Sequence, residues 1–309
     1  MRSETFYQDA DDGCTNFVYQ WIPKMESPRR VVQIAHGMAE HAGRYHDFAR
    51  ALVGSGYAVF ANDHRGHGKT AGSPEHVGFF AESDGWLRVV EDMRRLTHRI
   101  MTDFPGIPVF LFGHSMGSFL ARYYISRYGH ELAGVILSGT AGDPGMLGKI
   151  GKFVAGWEAK RKGVRARSPL LNKLSFGNFN KPFKPNRTEF DWLSRDSDQV
   201  DKYVDDPYCG AVFTAGFFQD LVWGVEQINT AQTLQDTPRD LPMLILSGDR
   251  DPVGKNTRGV QQVYNAYRKA GLNHLTLKLY KDGRHEMLNE INREEVYSDV
   301  IQWMDAQMT

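Results

Sequence analysis

The chain has 309 residues, 41% of them hydrophobic and 24% charged, with Lys+Arg and Asp+Glu balanced at 37 each. That length suffices for a real core in one large or two smaller units, and zero net charge removes the footprint of a nucleic-acid binder. No stretch has the roughly 18 apolar residues of a spanning helix, and Met1-Arg2-Ser3-Glu4-Thr5 lacks the apolar segment of a secretory signal. Cys14 and Cys209 are too few for a disulfide framework, so a reduced, cytoplasmic chain is expected.

Phe17–Ile22 reads as a strand of an antiparallel edge hairpin, stopped by Pro23. Val31–Ala35 is a second strand and runs into His36-Gly37-Met38-Ala39-Glu40-His41. A helix from about Tyr45 to Val53 ends at Gly54 and Gly56. The strand Tyr57–Ala61 leads into Asn62-Asp63-His64-Arg65-Gly66-His67-Gly68. Between Gly85 and Met101, Trp86, Val89, Val90, Met93, Leu96 and Ile100 recur at helical spacing. After a strand at Val109–Phe112 and another at Gly134–Ser138, the rhythm breaks until Met243–Leu246. A helix near Arg258–Lys269, a strand at Leu275–Tyr280 and a helix near Glu294–Met304 close the chain. Strands alternating with helices predict an α/β fold with a mostly parallel, doubly wound sheet. The interruption predicts an inserted, mainly helical cap at 141–235 on a core formed by 1–140 and 236–309.

The apolar run Val109–Phe112 ends in Gly113-His114-Ser115-Met116-Gly117, and Phe119, Leu120, Tyr123, Tyr124 and Tyr128 then follow at helical spacing. The pentapeptide alone is a weak signal. Strand, G-x-S-x-G and helix in succession form the context of a nucleophile elbow. There a serine turns so sharply that the residues two before and two after it must lack a Cβ.

A serine hydroxyl needs a base, and the base needs an orienting acid. Both partners stand just past strand ends: Gly248-Asp249-Arg250-Asp251-Pro252 and Gly283-Arg284-His285-Glu286. Ser115, then an acid, then His285 is the α/β-hydrolase order. His36, His41, His64, His67 and His114 compete for the base role, but order and strand-end placement favour His285, with activity falling on its acid side near pH 6.5. Asp251 is the preferred acid, because the spacing from Gly248 lets the loop turn before the carboxylate; Asp249 stays open. The oxyanion hole is assigned to the backbone N–H groups of Met116 and Met38. A metal held by Asp63, His64 and His67 is disfavoured against a glycine-rich turn with its own hydrogen bonds. No cofactor or metal is required.

With these residues in place the chain resembles the monoacylglycerol lipase and lysophospholipase family of serine hydrolases in the α/β-hydrolase superfamily. The resemblance rests on His36 to Tyr45, Asp63 to Gly68, Gly113 to Gly117, Gly248 to Asp251 and Gly283 to Glu286. It implies an α/β-hydrolase fold, a cap over an apolar acyl site and hydrolysis of glycerol-linked monoesters. A lysophospholipid, a short-chain ester or a peptide are the alternatives, and a non-catalytic binding protein is disfavoured by Ser115, Asp251 and His285. Family members often carry Gly where this chain has Ala39. The insertion matches loosely, through Phe190 to Asp196 and Asp205-Asp206-Pro207. It also carries Lys160, Arg161, Lys162, Arg165, Arg167 and Lys173 among aromatics from Phe153 to Trp223. The favoured reading is a solvated charged face over a small cap core. The sharper one is a cap in peripheral contact with an anionic membrane, its aromatics lining an acyl tunnel.

Overall fold

The computed structural model describes residues 1–24 and 27–307. The strands are β1 (Arg2–Asp9), β2 (Thr15–Ile22), β3 (Arg30–Ala35), β4 (Tyr57–Asn62), β5 (Val109–His114), β6 (Gly134–Ser138), β7 (Met243–Gly248) and β8 (Leu275–Tyr280). They form one sheet in the order β1-β2-β4-β3-β5-β6-β7-β8. The β1–β2 hairpin and the β2–β4 pair are antiparallel, and every other pair is parallel. The hairpin partner of β2 is β1, whose polar, solvent-exposed side chains gave no period in the sequence.

Every residue of β3 to β7 is buried, as a sheet covered on both faces requires. Alternate residues serve opposite layers. Val32, Ile34, Phe110, Phe112 and Leu244 pack under α1 (His46–Gly54) and the C-terminal helix, here α10 (Arg293–Ala306), through Phe48, Leu52, Val296 and Val300. Val31, Leu111, Val135 and Ile245 meet α2 (Gly85–Asp103), α3 (Met116–Tyr128) and α9 (Arg258–Ala270) on the other side. Each such side chain contributes about 1.5–3 kcal/mol by leaving water. Gln33 also points into this layer, with its amide used: Nε2 donates to the Met93 carbonyl at 2.8 Å and Oε1 accepts from Thr97 Oγ1 at 2.7 Å.

Between β6 and β7 the chain forms α4 (Met146–Lys162), α5 (Pro169–Phe176), α6 (Ser197–Asp205), α7 (Ala215–Gln227) and α8 (Ala231–Asp236). Helix α8, which crosses residue 235, leans on α3 and α9. Trp192, Leu193 and Tyr203 make a small separate core with Phe176, Phe179 and Phe190. Phe213, Phe217 and Phe218 instead join the main core. Among the described residues, no helix is long and apolar enough to cross a membrane.

Helix α7 lies against α2 through Gly224: a Cβ there would sit 2.3 Å from the Trp86 ring. Trp86 is 1% exposed and cannot yield into solvent. Gly224→Ala is expected to destabilise the protein by about 1–3 kcal/mol in denaturant unfolding; an unchanged midpoint would mean that α7 shifts on the core without cost.

Candidate active site

Ser115 stands between β5 and α3 at φ 51°, ψ −120°, a conformation that costs a non-glycine residue about 1–3 kcal/mol. Its N–H donates to the Ser138 carbonyl at 2.9 Å, tying the turn to β6. A Cβ on Gly117 would fall 2.0 Å from the Ala35 carbonyl oxygen, and one on Gly113 would fall 2.4 Å from that of Gly117. Both glycines are therefore demanded by backbone approach, and the serine is left half-buried at the end of the sheet.

His285 follows β8 and is 3% exposed. Its Nδ1 lies 3.0 Å from Asp251 Oδ1. Asp251 is fully buried, with Oδ1 also accepting from Val253 N–H at 2.9 Å and Oδ2 from Ser247 Oγ at 3.3 Å. Asp249 faces the other way: its Oδ1 accepts from Asp282 N–H at 2.8 Å and shapes the turn after β8. Of the two acids left open by the sequence, the structure brings Asp251 to the histidine. Burial alone would lower His285, but the charge and hydrogen bond of Asp251, helped by Glu286 and Glu40, raise its pKa above the usual 6.5.

The competing histidines are placed differently. His36, His64 and His67 are fully buried beside one another, with His36 Nε2 accepting from His64 N–H at 2.9 Å. Burial pushes His36 and His67 down to about 3 and His64 well below 6.5. His114, 3.2 Å from Ser138 Oγ through Nδ1, is lowered to about 4 by burial and by His285. Groups so weakly basic make poor proton acceptors at neutral pH. Asp63 spends its carboxylate on two backbone donors, Ala42 N–H at 2.8 Å and Lys69 N–H at 2.7 Å, so it holds loops together.

Met38 lines the cleft that contains Ser115, and Met116 is the first residue of α3, whose N–H has no partner within the helix. Ala39 adopts φ 58°, the left-handed region that favours glycine. It is held there from the insertion: its carbonyl accepts from Tyr203 Oη at 2.9 Å and from Gly210 N–H at 3.0 Å.

Sequence reasoning gave no role to Glu40, Arg44 or Glu286, although all three lie in the segments that carried the resemblance. Glu40 Oε1 accepts from Gly37 N–H at 2.6 Å and from Tyr45 Oη at 2.8 Å. Arg44 donates to Glu40 Oε2 and to both oxygens of Glu286, each at 2.7 Å. Its guanidinium lies over the Tyr203 ring, 4.8 Å from the centroid. One cation thus joins the loop after β3 to the residue next to His285. The only sequence signal was an acid and an arginine four apart; the third member is 242 residues away from Arg44.

Ser115 and His285 open into a cleft of about 580 Å³. Met38, Phe176, Phe190, Trp192 and Leu193 give it apolar walls, while Asn172, Asn180, Asn186 and Thr188 add polar groups from the insertion. The Trp192 ring also packs tilted against the histidine, ring centroids 5.1 Å apart, and its carbonyl accepts from His285 N–H. Of the aromatics read as a tunnel lining, Phe176 and Trp192 reach the cleft. Phe153 and Trp157 face solvent, and Phe213, Phe217 and Phe218 are core residues.

The family described as serine aminopeptidase, S33 (Hydrolase_4) matches residues 26–292. Over 300 residues the chain is 32% identical to a monoacylglycerol lipase of Mycolicibacterium smegmatis, covering 96% of this chain and 95% of that one. It is 28% identical to the human monoglyceride lipase over 307 residues, with 96% and 91% covered. A carboxyl esterase from Bacillus coagulans, solved in complex with glycerol, superposes with a TM-score of 0.92 at 28% identity over the whole of both chains.

Removing the Arg44 charge would strand two buried carboxylates. Arg44→Met is expected to cost about 3–5 kcal/mol in unfolding experiments. Arg44→Lys should recover only part of this, since an ammonium cannot bridge three oxygens in a plane. A near-wild-type Arg44→Met would mean that Glu40 and Glu286 are neutral without it.

Proposed function

The chain belongs to the serine aminopeptidase S33 family of α/β-hydrolases and is a serine hydrolase, and from that premise we propose that it cleaves monoacylglycerols through an acyl-enzyme. The carrying observation is the amphiphilic cleft, where a serine at an elbow and an acid-held histidine meet apolar walls and amide-bearing polar ones. A single acyl chain with a small polyol matches that division of surface.

In this reading Ser115 Oγ attacks the ester carbonyl as His285 Nε2 takes its proton. Asp251 keeps the other nitrogen protonated and stabilises the imidazolium. The backbone N–H groups of Met38 and Met116 receive the oxyanion. His285 then hands the proton to the departing glycerol oxygen, and water repeats the sequence on the acyl-enzyme. An aminopeptidase would need a carboxylate free to hold a substrate amine. Glu40 and Glu286, the two nearest the elbow loops, are already spent on Arg44, and the remaining carboxylate of the cleft, Glu189, sits on its exposed outer wall with Lys173 and Asn186.

Residues 141–235 act as the cap over this cleft, and the exposed face of α4 supports contact with a membrane. Met146, Ile150, Phe153 and Trp157 recur along one side of the helix, with Phe153 76% exposed, and Leu170 and Leu174 of α5 are exposed as well. Much of the basic run is occupied elsewhere: Lys162 pairs with Glu158, Arg165 with Glu82, and Arg167 donates to the Val212 and Glu75 carbonyls. The apolar stripe, assisted by neighbouring Lys149, Lys160 and Arg161, is the docking element.

The test is fatty-acid release from 1-monoolein beside oleoyl-lysophosphatidylcholine. Monoolein should be preferred, Ser115→Ala should abolish turnover with its melting temperature kept, and Asp251→Asn should be far more damaging than Asp249→Asn. The neutral base is lost as pH falls, so kcat/KM should drop on the acid side through a midpoint above 6.5. Preference for the lysophospholipid would reject the monoglyceride assignment, and a flat profile down to pH 5 would reject the histidine base.

For the docking element, the wild type should sediment with vesicles of phosphatidylcholine and phosphatidylglycerol, and Phe153→Glu with Trp157→Glu should lose most of that binding. Equal sedimentation of the double variant would place the contact elsewhere.

A further inference from the structure

Outside the cleft, three chemically different metal-binding side chains converge where the loop after β3 meets the turn after α6. His41, Asp206 and Cys209 each offer one ligand atom, and the three atoms lie within 4.8 Å of one another. We propose that His41, Asp206 and Cys209 form a site for one thiophilic divalent cation of the zinc type, which clamps the loop bearing Met38 to the segment bearing Gly210.

The donor types fit. A neutral imidazole, a carboxylate and a thiolate are the ligands zinc takes, at about 2.0–2.3 Å in a tetrahedron whose edges are therefore about 3.3–3.7 Å. His41 Nε2 and Asp206 Oδ2 are 2.8 Å apart and need to part by about half an ångström to admit the ion. The donors are held in advance. Asp206 Oδ1 accepts from Tyr208 N–H at 2.9 Å, which leaves Oδ2 for His41. The Asp206 carbonyl accepts from Cys209 N–H at 3.0 Å and fixes the turn between the two ligands. Such outer hydrogen bonds orient ligands in built metal sites.

Access and charge also fit. A polar pocket of about 280 Å³ reaches His41 and Asp206 from solvent, so a water can complete the coordination. The charged groups on that pocket are Arg44, Asp47 and Lys202, and Arg44 is already matched by Glu40 and Glu286. Thiolate and carboxylate together balance a divalent ion. On binding, Cys209 releases its thiol proton to solvent, and His41 moves its remaining proton from Nε2 to Nδ1. The second change replaces the 3.2 Å hydrogen bond from Gly43 N–H with two facing N–H groups, so the imidazole must turn away from Gly43 as the ion enters.

The site does not use Asp63, His64 or His67 as ligands, although His41 packs beside Asp63, and the ester chemistry does not need it. Its effect is mechanical: one ligand is in the loop of Met38 and Ala39, Cys209 immediately precedes Gly210, Ala211 and Val212 on the cleft wall, and Asp206 opens the same turn.

Co2+ added to the purified full-length chain is the direct probe. One equivalent should give an intense thiolate-to-cobalt charge-transfer band with tetrahedral d–d bands, and Zn2+ should displace it and raise the melting temperature. Cys209→Ser should lose the charge-transfer band, and both Cys209→Ser and Asp206→Asn should bind Zn2+ at least about 10- to 100-fold more weakly and lose the melting shift. Absence of a thiolate band in the wild type, or a band that survives in Cys209→Ser and so belongs to Cys14, would overturn the proposal. Neither readout depends on turnover, so the result is separate from the fate of the monoglyceride assignment.

Discussion

The functional end of this protein depends on one backbone contact, the approach of Gly117 to the end of β3. Only a hydrogen atom fits between α3 and the Ala35 carbonyl. Because that gap is closed, β5 must turn at once into the helix, and Ser115 is forced to positive φ. The strain is held by the sheet around it: β3 and β6 flank β5 with every side chain buried, and the Ser115 N–H is fixed to β6. A backbone held this way fixes where the Ser115 hydroxyl starts, which is what the proposed attack on an ester carbonyl would require.

Around this elbow, charges are used mainly to hold loops. Glu40, Arg44 and Glu286 form a nearly dry ionic link between the loop after β3 and the loop after β8. Arg195 and Glu290 make a second such link, at 2.8 Å, between the insertion and the segment that follows His285. Buried ion pairs of this kind add little net stability, but losing one partner is costly, so they act as joints that are either intact or broken. His285 is the exception in function: its raised basicity comes first from Asp251, a carboxylate that the fold keeps from water, with Glu286 and Glu40 adding to it.

The insertion divides its aromatic residues among three tasks. Phe213 and Phe217 anchor it in the main core, Phe176 and Trp192 shape the cleft, and Phe153 and Trp157 are left in solvent. Its contacts with the loops after β3 and β8 run through backbone carbonyls as much as through side chains: Leu193 O accepts from Glu286 N–H at 2.8 Å, and Ala39 O accepts from Tyr203 and Gly210. Movement of this segment would therefore be felt at both Met38 and His285.

The sequence by itself determined the alternating α/β order, the elbow motif and the chain order of Ser115, an acid after β7 and His285. These are local matters, fixed by apolar period, by glycines without a Cβ and by strand ends that carry polar loops. Strand β1 escaped because an exposed edge strand needs no apolar alternation. Only the tertiary structure decided between Asp251 and Asp249, since both follow the same strand and two residues of turn separate a buried carboxylate from a surface one. It alone joined Arg44 to Glu286, split the insertion's aromatics between core, cleft and solvent, and gathered His41 with Asp206 and Cys209. Each of these depends on segments far apart in the chain meeting in space, and pairing at a distance leaves no period for a single sequence to display.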